Sequence, residues 1–400
     1  MRERISLEEA WSLITAPLRP LGEEWVDLDQ ALGRTLSRDV WSSMDQPPFD
    51  RSPLDGYALQ SRDVEGVSSE HPASLRVVER VCAGEVPTQR VAPGTAVRIM
   101  TGAPLPQGCD CVVRQEDTDL GAAVVQVYAP VAAYQNFVRR GEDYTAGTCL
   151  LSAGTRLDAA ALGLLASAGC DRVRAYRRPR VALLVTGDEV VQPQVHPLPP
   201  GKIYTANSYL LSARMRQLGM EEVSCAMVGD EPREIAWQVR RMLERCDCLI
   251  TTGGVSVGER DVLHQALPMA GAQRVFWRVQ MKPGTPAMYA VLDGKPILSL
   301  SGNPFAAAAT FELLGRPMLH ALCPTPQFEL IAHRAVLDTP FDRPSGMRRF
   351  LRGRYQDGHV QLPKGQTPGT LRSLVGCNCL LEVPAESPPL QAGETYTVYL

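Results

Sequence analysis

No run of about 18 apolar residues occurs anywhere in this sequence, so no membrane-spanning helix is expected. The N-terminus, Met1-Arg2-Glu3-Arg4, lacks the apolar stretch of a signal peptide, which points to a cytoplasmic location. There is no excess of positive charge either. The formal net charge is -3, less basic than is usual for a chain that lives by neutralising nucleic-acid phosphates. Nucleic acid is therefore not an expected partner, and any anionic ligand must be held by local features. No Walker loop is present, and the six histidines are scattered without ligand spacing, so a histidine-ligated metal centre is not supported. No internal repeat recurs at a fixed period. Cysteine is not scarce, but its spacing excludes an obvious metal site. Of 11 cysteines, six form three Cys-x-Cys pairs, Cys109/Cys111, Cys246/Cys248 and Cys377/Cys379. Zinc sites usually use Cys-x2-4-Cys spacing. Residues i and i+2 of a strand point the same way, so buried strand thiols are expected instead. The odd count suits a reducing compartment.

What is present reads as a multidomain globular enzyme. A chain of 400 residues exceeds one ordinary core, and 44% hydrophobic with 21% charged residues argues against disorder. Ser6-Leu7-Glu8-Glu9 is a capping box, and Leu7, Ala10, Trp11 and Ile14 follow at helical spacing until Pro17. Up to residue 50 nothing looks like an independent core. Between 75 and 130, short valine-rich runs separated by Gly and Pro predict a small β-rich domain. Asp158–Ala168 predicts a helix closed by Gly169. After the basic hinge Arg177-Arg178-Pro179-Arg180, apolar runs at Val181–Val185, Val223–Val228, Cys248–Thr251 and Ile297–Leu300 each end in a Gly-rich turn. Asn207 is expected to cap a helix that stops at Gly219, and Asn303 and Pro304 to start an Ala-rich one. Strands alternating with helices predict a central doubly wound, mostly parallel α/β domain. Past the linker Cys323-Pro324-Thr325-Pro326, strand-like segments predict a small C-terminal β domain. The expected division is 1–50 with 141–176 as a linking domain, 51–140 as the β-rich domain, 177–323 as the α/β domain and 327–400 as the last.

Ligands of open α/β sheets bind beyond the carboxyl ends of the strands. Four such ends carry suggestive residues: Asp188/Glu189, Asp230, Gly253–Asp261 and Gly302–Pro304. Gly-rich turns at helix starts offer free N–H groups to anions. Carboxylates this close repel unless a cation or proton intervenes, so a magnesium ion with substrate oxygens is the natural reading. Capping competes with it, most strongly at Asp230. Asp261 is read as functional and Asp188 as structural. Lys282, in a Lys-Pro-Gly turn, is positioned to meet an anion, or is a solvated surface lysine. Arg348, Arg352 and Arg354 share strand parity with Arg349 beside them; they would bind a phosphate or solvate a β edge.

At these residues the match becomes specific. Pro47-Pro48-Phe49-Asp50-Arg51-Ser52-Pro53-Leu54-Asp55-Gly56-Tyr57-Ala58 resembles the signature of the MoeA and gephyrin E-domain family, the molybdopterin molybdenumtransferases. Arg98–Pro104, Gly141-Glu142-Asp143, Thr186–Glu189, Thr251–Asp261, Lys282–Gly284 and Gly302–Pro304 resemble its further motifs, in order and over essentially the whole chain. The resemblance implies a homodimer that takes molybdate and adenylylated molybdopterin and releases AMP and molybdenum cofactor, with Mg2+ required. It implies Asp55, Thr101, Asp143, Glu189, Asp230, Asp261 and Lys282 as catalytic, with Asp55, Thr101 and Asp143 facing the other subunit's α/β domain. It implies Glu189 and Asp261 on the metal, and Gly253, Gly254, Ser256, Arg278, Ser301, Gly302, Asn303 and Pro304 on the substrate. Candidate partners are the molybdopterin adenylyltransferase and apo-molybdoenzymes. Three positions depart from the pattern: Thr285 stands where many relatives have lysine, Ser301 where many have proline, and Arg278 where lysine is common. Thr285 removes a charge and leaves a catalytically weak paralogue, or a scaffold of the same pathway, as the alternative. The adenylyltransferase itself resembles only the region near 180–325.

Overall fold

The computed structural model describes residues 1–220, 223–255 and 262–400. The chain divides into two compact units: Met1–Trp25, Gly33–Ser37 and Arg174–Leu400 form one, and Val26–Leu32 with Arg38–Val173 form the other.

The first unit is built on a seven-stranded sheet: β1 (Arg2–Ile5), β2 (Val181–Thr186), β3 (Val223–Val228), β4 (Cys248–Thr252), β5 (Gln273–Val279), β6 (Met288–Leu292) and β7 (Lys295–Leu300), in spatial order β1-β5-β6-β7-β4-β2-β3. Only β6 runs antiparallel to its neighbours. Every residue of β2 and β4 is buried, as expected where helices cover both faces. Val181 and Leu183 turn to one face and meet α1 (Leu7–Thr15), α2 (Asn207–Gln217) and the helical run from Pro304; Ala182 and Leu184 turn to the other and meet α3 (Pro232–Arg245) and α4 (Leu263–Met269).

The N-terminus differs from expectation. Arg2–Ile5 is a parallel edge strand of this sheet, paired Arg2 to Phe276 and Ile5 to Val279, instead of part of a separate linking domain. Only Ile5 of the four is buried, so a two-residue alternation had no length in which to show. The helix after it forms as its capping box predicts, with Ser6 Oγ accepting from Glu9 N at 3.1 Å and Leu7, Ala10 and Ile14 buried.

The Ala-rich helix is α5 (Pro304–Thr310), a π-helical turn at Phe311–Gly315, and α6 (Arg316–Leu322). Pro317 has no N–H for the carbonyl of Leu313, four residues back. Trp11 Nε1 takes that carbonyl instead, at 2.6 Å.

The C-terminal region of the same unit is a closed barrel of β8 (Ala332–Leu337), β9 (Arg349–Gln356), β10 (His359–Gln361), β11 (Cys379–Val383) and β12 (Thr395–Tyr399). It corrects the arginine reading. Arg348 pairs with Glu8 and, at 2.7 Å, with Glu382; Arg354 donates to the carbonyl of Val375; Arg352 is 1% exposed. Each guanidinium is thus engaged with its own partners inside the fold, and the three do not gather into a phosphate cluster.

In the second unit a five-stranded sheet runs in the order 111–114, 56–59, 95–99, 73–81, 124–127. Gly56 is fixed by packing: a Cβ there would lie 1.9 Å from the carbonyl oxygen of Val113. Asp158 caps the helix Ala159–Ser167 through Ala161 N at 2.8 Å.

All 11 cysteines are free thiols. Cys111, Cys248 and Cys379 each open a buried strand. Burial pushes the Cys109 and Cys379 thiols up to about 12, which keeps them protonated at neutral pH. Among the described residues no group of three or more His, Cys, Asp or Glu could hold a metal ion. No described helix is long and apolar enough to cross a membrane.

Candidate active site

From β2 the chain crosses through α2 to β3 on one side, then returns through α3 to β4 on the other. The crevice between the carboxyl ends of β2 and β4 is therefore the topological switch point, where open α/β sheets bind ligands. A cavity of about 670 Å³ lies there. It is lined by Thr186, Gly187, Glu189, Asn207, Asp230, Gly253, Gly254 and Ser301–Pro304, joined by Gly369 and Leu371 from the barrel. Of the residues expected to carry chemistry, the structure thus brings together Glu189, Asp230, Gly253, Gly254, Ser301, Gly302, Asn303 and Pro304. Ser256 and Asp261 lie outside the described residues.

The turn after β4 must be glycine. At Gly253 (φ 98°) a Cβ would lie 2.3 Å from the carbonyl oxygen of Thr186, so the two strand ends meet in backbone contact. Beside it, Asp188 and Asp230 cap each other's strand ends: Asp230 N donates to Asp188 Oδ1 at 3.0 Å and Asp188 N to Asp230 Oδ2 at 3.4 Å. Both carboxylates thus have a structural task. Glu189 next to them is exposed on the cavity. Lys202 Nζ holds the main chain here by donating to the carbonyl of Asp188 at 2.6 Å.

Asn207 does not cap its helix. It is the first helical residue, and no side-chain bond caps α2. Its Nδ2 donates to Thr252 Oγ1 and to the carbonyl of Gly302, both at 2.8 Å, and Thr252 Oγ1 donates to the carbonyl of Ser301 at 3.0 Å. One buried amide therefore ties α2 to the ends of β4 and β7. Asn303 occupies the cap position before Pro304 without a side-chain cap bond.

Arg278 and Lys282 do not line this cavity. The Arg278 guanidinium lies 4.1 Å from the Trp277 ring, and Trp277 Nε1 donates to the carbonyl of Val255 at 3.3 Å, which sets Arg278 near the β4 turn. Lys282 bridges to the barrel through its main chain, donating to Arg348 O at 2.9 Å and accepting from Phe350 N at 2.8 Å, with its side chain exposed. Thr285 closes the Lys-Pro-Gly turn: its hydroxyl donates to the carbonyl of Met281 at 2.6 Å.

In the second unit, Asp55 Oδ1 accepts from both the main-chain N–H and the hydroxyl of Thr101, each at 2.7 Å. Those two bonds, with Arg98 nearby, hold the Asp55 carboxyl below its ordinary range. The segment around it is clamped by Arg51 pairing with Val138, Gln46 with Tyr144, and Gly102 N donating to the carbonyl of Ser52. Asp143 is exposed and its N–H donates to the carbonyl of Gln46 at 2.9 Å. The three motifs of this unit are thus neighbours through backbone pairing.

Lys202, Gly369 and Leu371 were not expected at the site. Lys202 follows a Pro-rich stretch that reads as a loop, and Leu371 is a single leucine among Thr, Pro and Gly. Only the pairing of Val190–Val191 with Ile203–Tyr204 brings the first of them back.

Three family models match in succession: the MoeA N-terminal region (domain I and II) over residues 5–169, a probable molybdopterin binding domain over 182–321, and the MoeA C-terminal region (domain IV) over 334–400. The chain is 34% identical to molybdopterin molybdenumtransferase 2 of Mycobacterium tuberculosis H37Rv, covering 98% of this chain and 99% of that one. It is 33% identical to molybdopterin molybdenumtransferase of Bacillus subtilis 168, covering 94% and 89%. The crystal structure of the molybdopterin biosynthesis MoeA protein from Pyrococcus horikoshii OT3 superposes with a TM-score of 0.82 at 28% identity, over 99% and 100% of the chains. Similarity of this extent, across all three regions and both units, makes the chain a member of the molybdopterin molybdenumtransferase (MoeA) family.

Proposed function

We propose that this chain inserts molybdate into adenylylated molybdopterin, releasing AMP and molybdenum cofactor, as a magnesium-dependent homodimer. The observation that carries the reading is the switch-point crevice. It gathers acidic residues and Gly-rich turns at one place, in a chain with all three regions of the family. Pterin phosphate, AMP and molybdate are all anions, and the net charge of -3 does not attract them, so the local turns must. N–H groups in the turns after β4 and β7, at Gly254 and Gly302, orient the phosphates without side-chain entropy. Asn207 keeps the loops at the ends of β4 and β7 in register around them.

Glu189 and Asp230 both line the crevice, and carboxylate oxygens are the donors a hard divalent cation takes. Glu189 with Asp261 would hold the magnesium, and Asp230 would stand beside it. When bound, magnesium supplies Lewis-acid polarisation and a template at the phosphoanhydride. Lys282 and Arg278 offset charge on the incoming oxyanion. Asp55, already ionised and aimed by Thr101, orients substrate from the second subunit together with Asp143. The molybdopterin adenylyltransferase and apo-molybdoenzymes are the natural neighbours in such a hand-over.

The alternative of a weak paralogue rested on Thr285, whose hydroxyl has its own task in closing the turn. The test is AMP release with magnesium, after chelation, and in Glu189→Gln. Turnover should need magnesium and drop at least about tenfold in Glu189→Gln, with its melting temperature unchanged. Full magnesium-independent turnover would contradict the proposal.

A further inference from the structure

Among the described residues Arg352 is the largest fully buried side chain, and no carboxylate pairs with it. A guanidinium without a counter-ion is costly to bury unless its N–H groups meet strong dipoles. Here they do. Nη1 donates to the carbonyl of Thr370 at 2.9 Å, and Nη2 to those of Gly365 at 2.9 Å and Thr367 at 2.6 Å. All three carbonyls belong to residues 363–371, the irregular segment between β10 and β11. The other side of the guanidinium lies 4.0 Å from the ring of Phe305, the second residue of α5. Phe305 N in turn donates to the carbonyl of Pro368 at 3.0 Å. Gln366 adds a two-way bond to the main chain of Arg352, at 3.2 and 3.0 Å. The segment is therefore fixed to the start of α5, the helix whose turn lines the crevice.

What this fixation delivers to the crevice is Leu371. It is 39% exposed and lines the same cavity as Glu189, Gly253 and Asn303. A leucine offers nothing to a phosphate or an oxyanion. It does offer an apolar surface to the flat face of a nitrogen heterocycle. We infer that the C-terminal barrel supplies a specificity wall of the substrate pocket, with Leu371 packing against the substrate's heterocycle and Arg352 as the residue that positions it. This rests on the transferase reading for the identity of the substrate. Pterin and adenine share the required chemistry.

The test uses the full chain. AMP and 6-hydroxymethylpterin are titrated separately, by calorimetry, into wild type, Leu371→Ala, Arg352→Met and Arg352→Lys. KM and kcat for AMP release from adenylylated molybdopterin are measured on the same proteins. Leu371→Ala should weaken one of the two heterocycles about fivefold to tenfold. It should raise KM by a similar factor, with kcat within about twofold. Loss against the pterin places the pterin at the wall; loss against AMP places the adenine there. Arg352→Met should raise KM in the same way with Leu371 intact, and Arg352→Lys, which keeps donors for some of the carbonyls, should recover part of the loss. A Leu371→Ala protein with wild-type affinity for both heterocycles and wild-type KM overturns the inference. So does an Arg352→Met protein that melts lower yet keeps its KM. If Leu371→Ala weakens a heterocycle while wild type releases no AMP, the wall stands and the transferase reading fails. A wild type that binds neither heterocycle and releases no AMP overturns both.

Discussion

Asp55 shows how a single side chain can be set for its task by two bonds from one neighbour. Thr101 gives it a main-chain and a hydroxyl donor, and both favour the charged form. Its folded pKa is lowered, so the bonds stabilise the native state at neutral pH, and that contribution is lost as pH falls through the lowered value. Thr101→Val removes the hydroxyl donor alone. The Asp55 pKa, followed by NMR titration, should move up toward the ordinary carboxylate value, and the melting temperature at neutral pH should fall with it; an unmoved pKa would show that the main-chain N–H suffices. Gly253 makes the opposite case, a residue chosen for what it lacks. Gly253→Ala places a methyl against the Thr186 carbonyl at positive φ, and backbone strain of that kind costs about 1–3 kcal/mol before any clash. Chemical denaturation should show a loss at least that large, together with loss of turnover. The importance of Gly253 was readable from its place after an apolar run. The role of Asn207 was not, because an asparagine at a helix start ordinarily signals a cap, and its long-range bonds to Thr252 and Gly302 leave no trace in local spacing.

At the scale of elements, two joints depend on partners far away in sequence. The π-helical turn before Pro317 leaves the Leu313 carbonyl to Trp11. Trp11→Phe strands that acceptor and should cost about 1–3 kcal/mol. Adding Pro317→Ala restores an N–H four residues on and should recover part of it; a double-mutant cycle with no coupling would contradict this account. The basic hinge is the second joint. Arg177 grips Asp247 with both terminal nitrogens, at 3.0 and 2.9 Å, and Arg180 N donates to Asp247 Oδ2 at 2.8 Å. Burial alone would raise the Asp247 pKa, but these donors outweigh it and the pKa is lowered. The pairing therefore stabilises the fold at neutral pH and is lost as pH falls through that lowered value. Asp247→Asn should cost about 2 kcal/mol at pH 7 and flatten the acid limb of a stability-against-pH curve. The sequence marks the hinge by its arginines but not the aspartate that receives them. Strands β2, β4 and β7 were legible because each is an apolar run ending in glycine. β1 was not, being four residues with one buried side chain, and β11 was marked only by the spacing of Cys377 and Cys379, since Leu380–Val383 shows no alternation.

For the whole molecule, the mostly parallel sheet follows from alternating runs and turns, and the barrel follows from short strands after a Pro-rich linker. The wall that the barrel lends to the crevice does not, since residues 363–371 read as a loop and only Arg352 shows what holds them. The central claim is that the crevice performs adenylate-driven molybdate insertion. The most direct test is AMP release from adenylylated molybdopterin with magnesium present, with and without molybdate. The account predicts release that molybdate stimulates, with molybdenum cofactor formed in step. A folded chain that releases no AMP, or releases it at the same rate without molybdate, would contradict it.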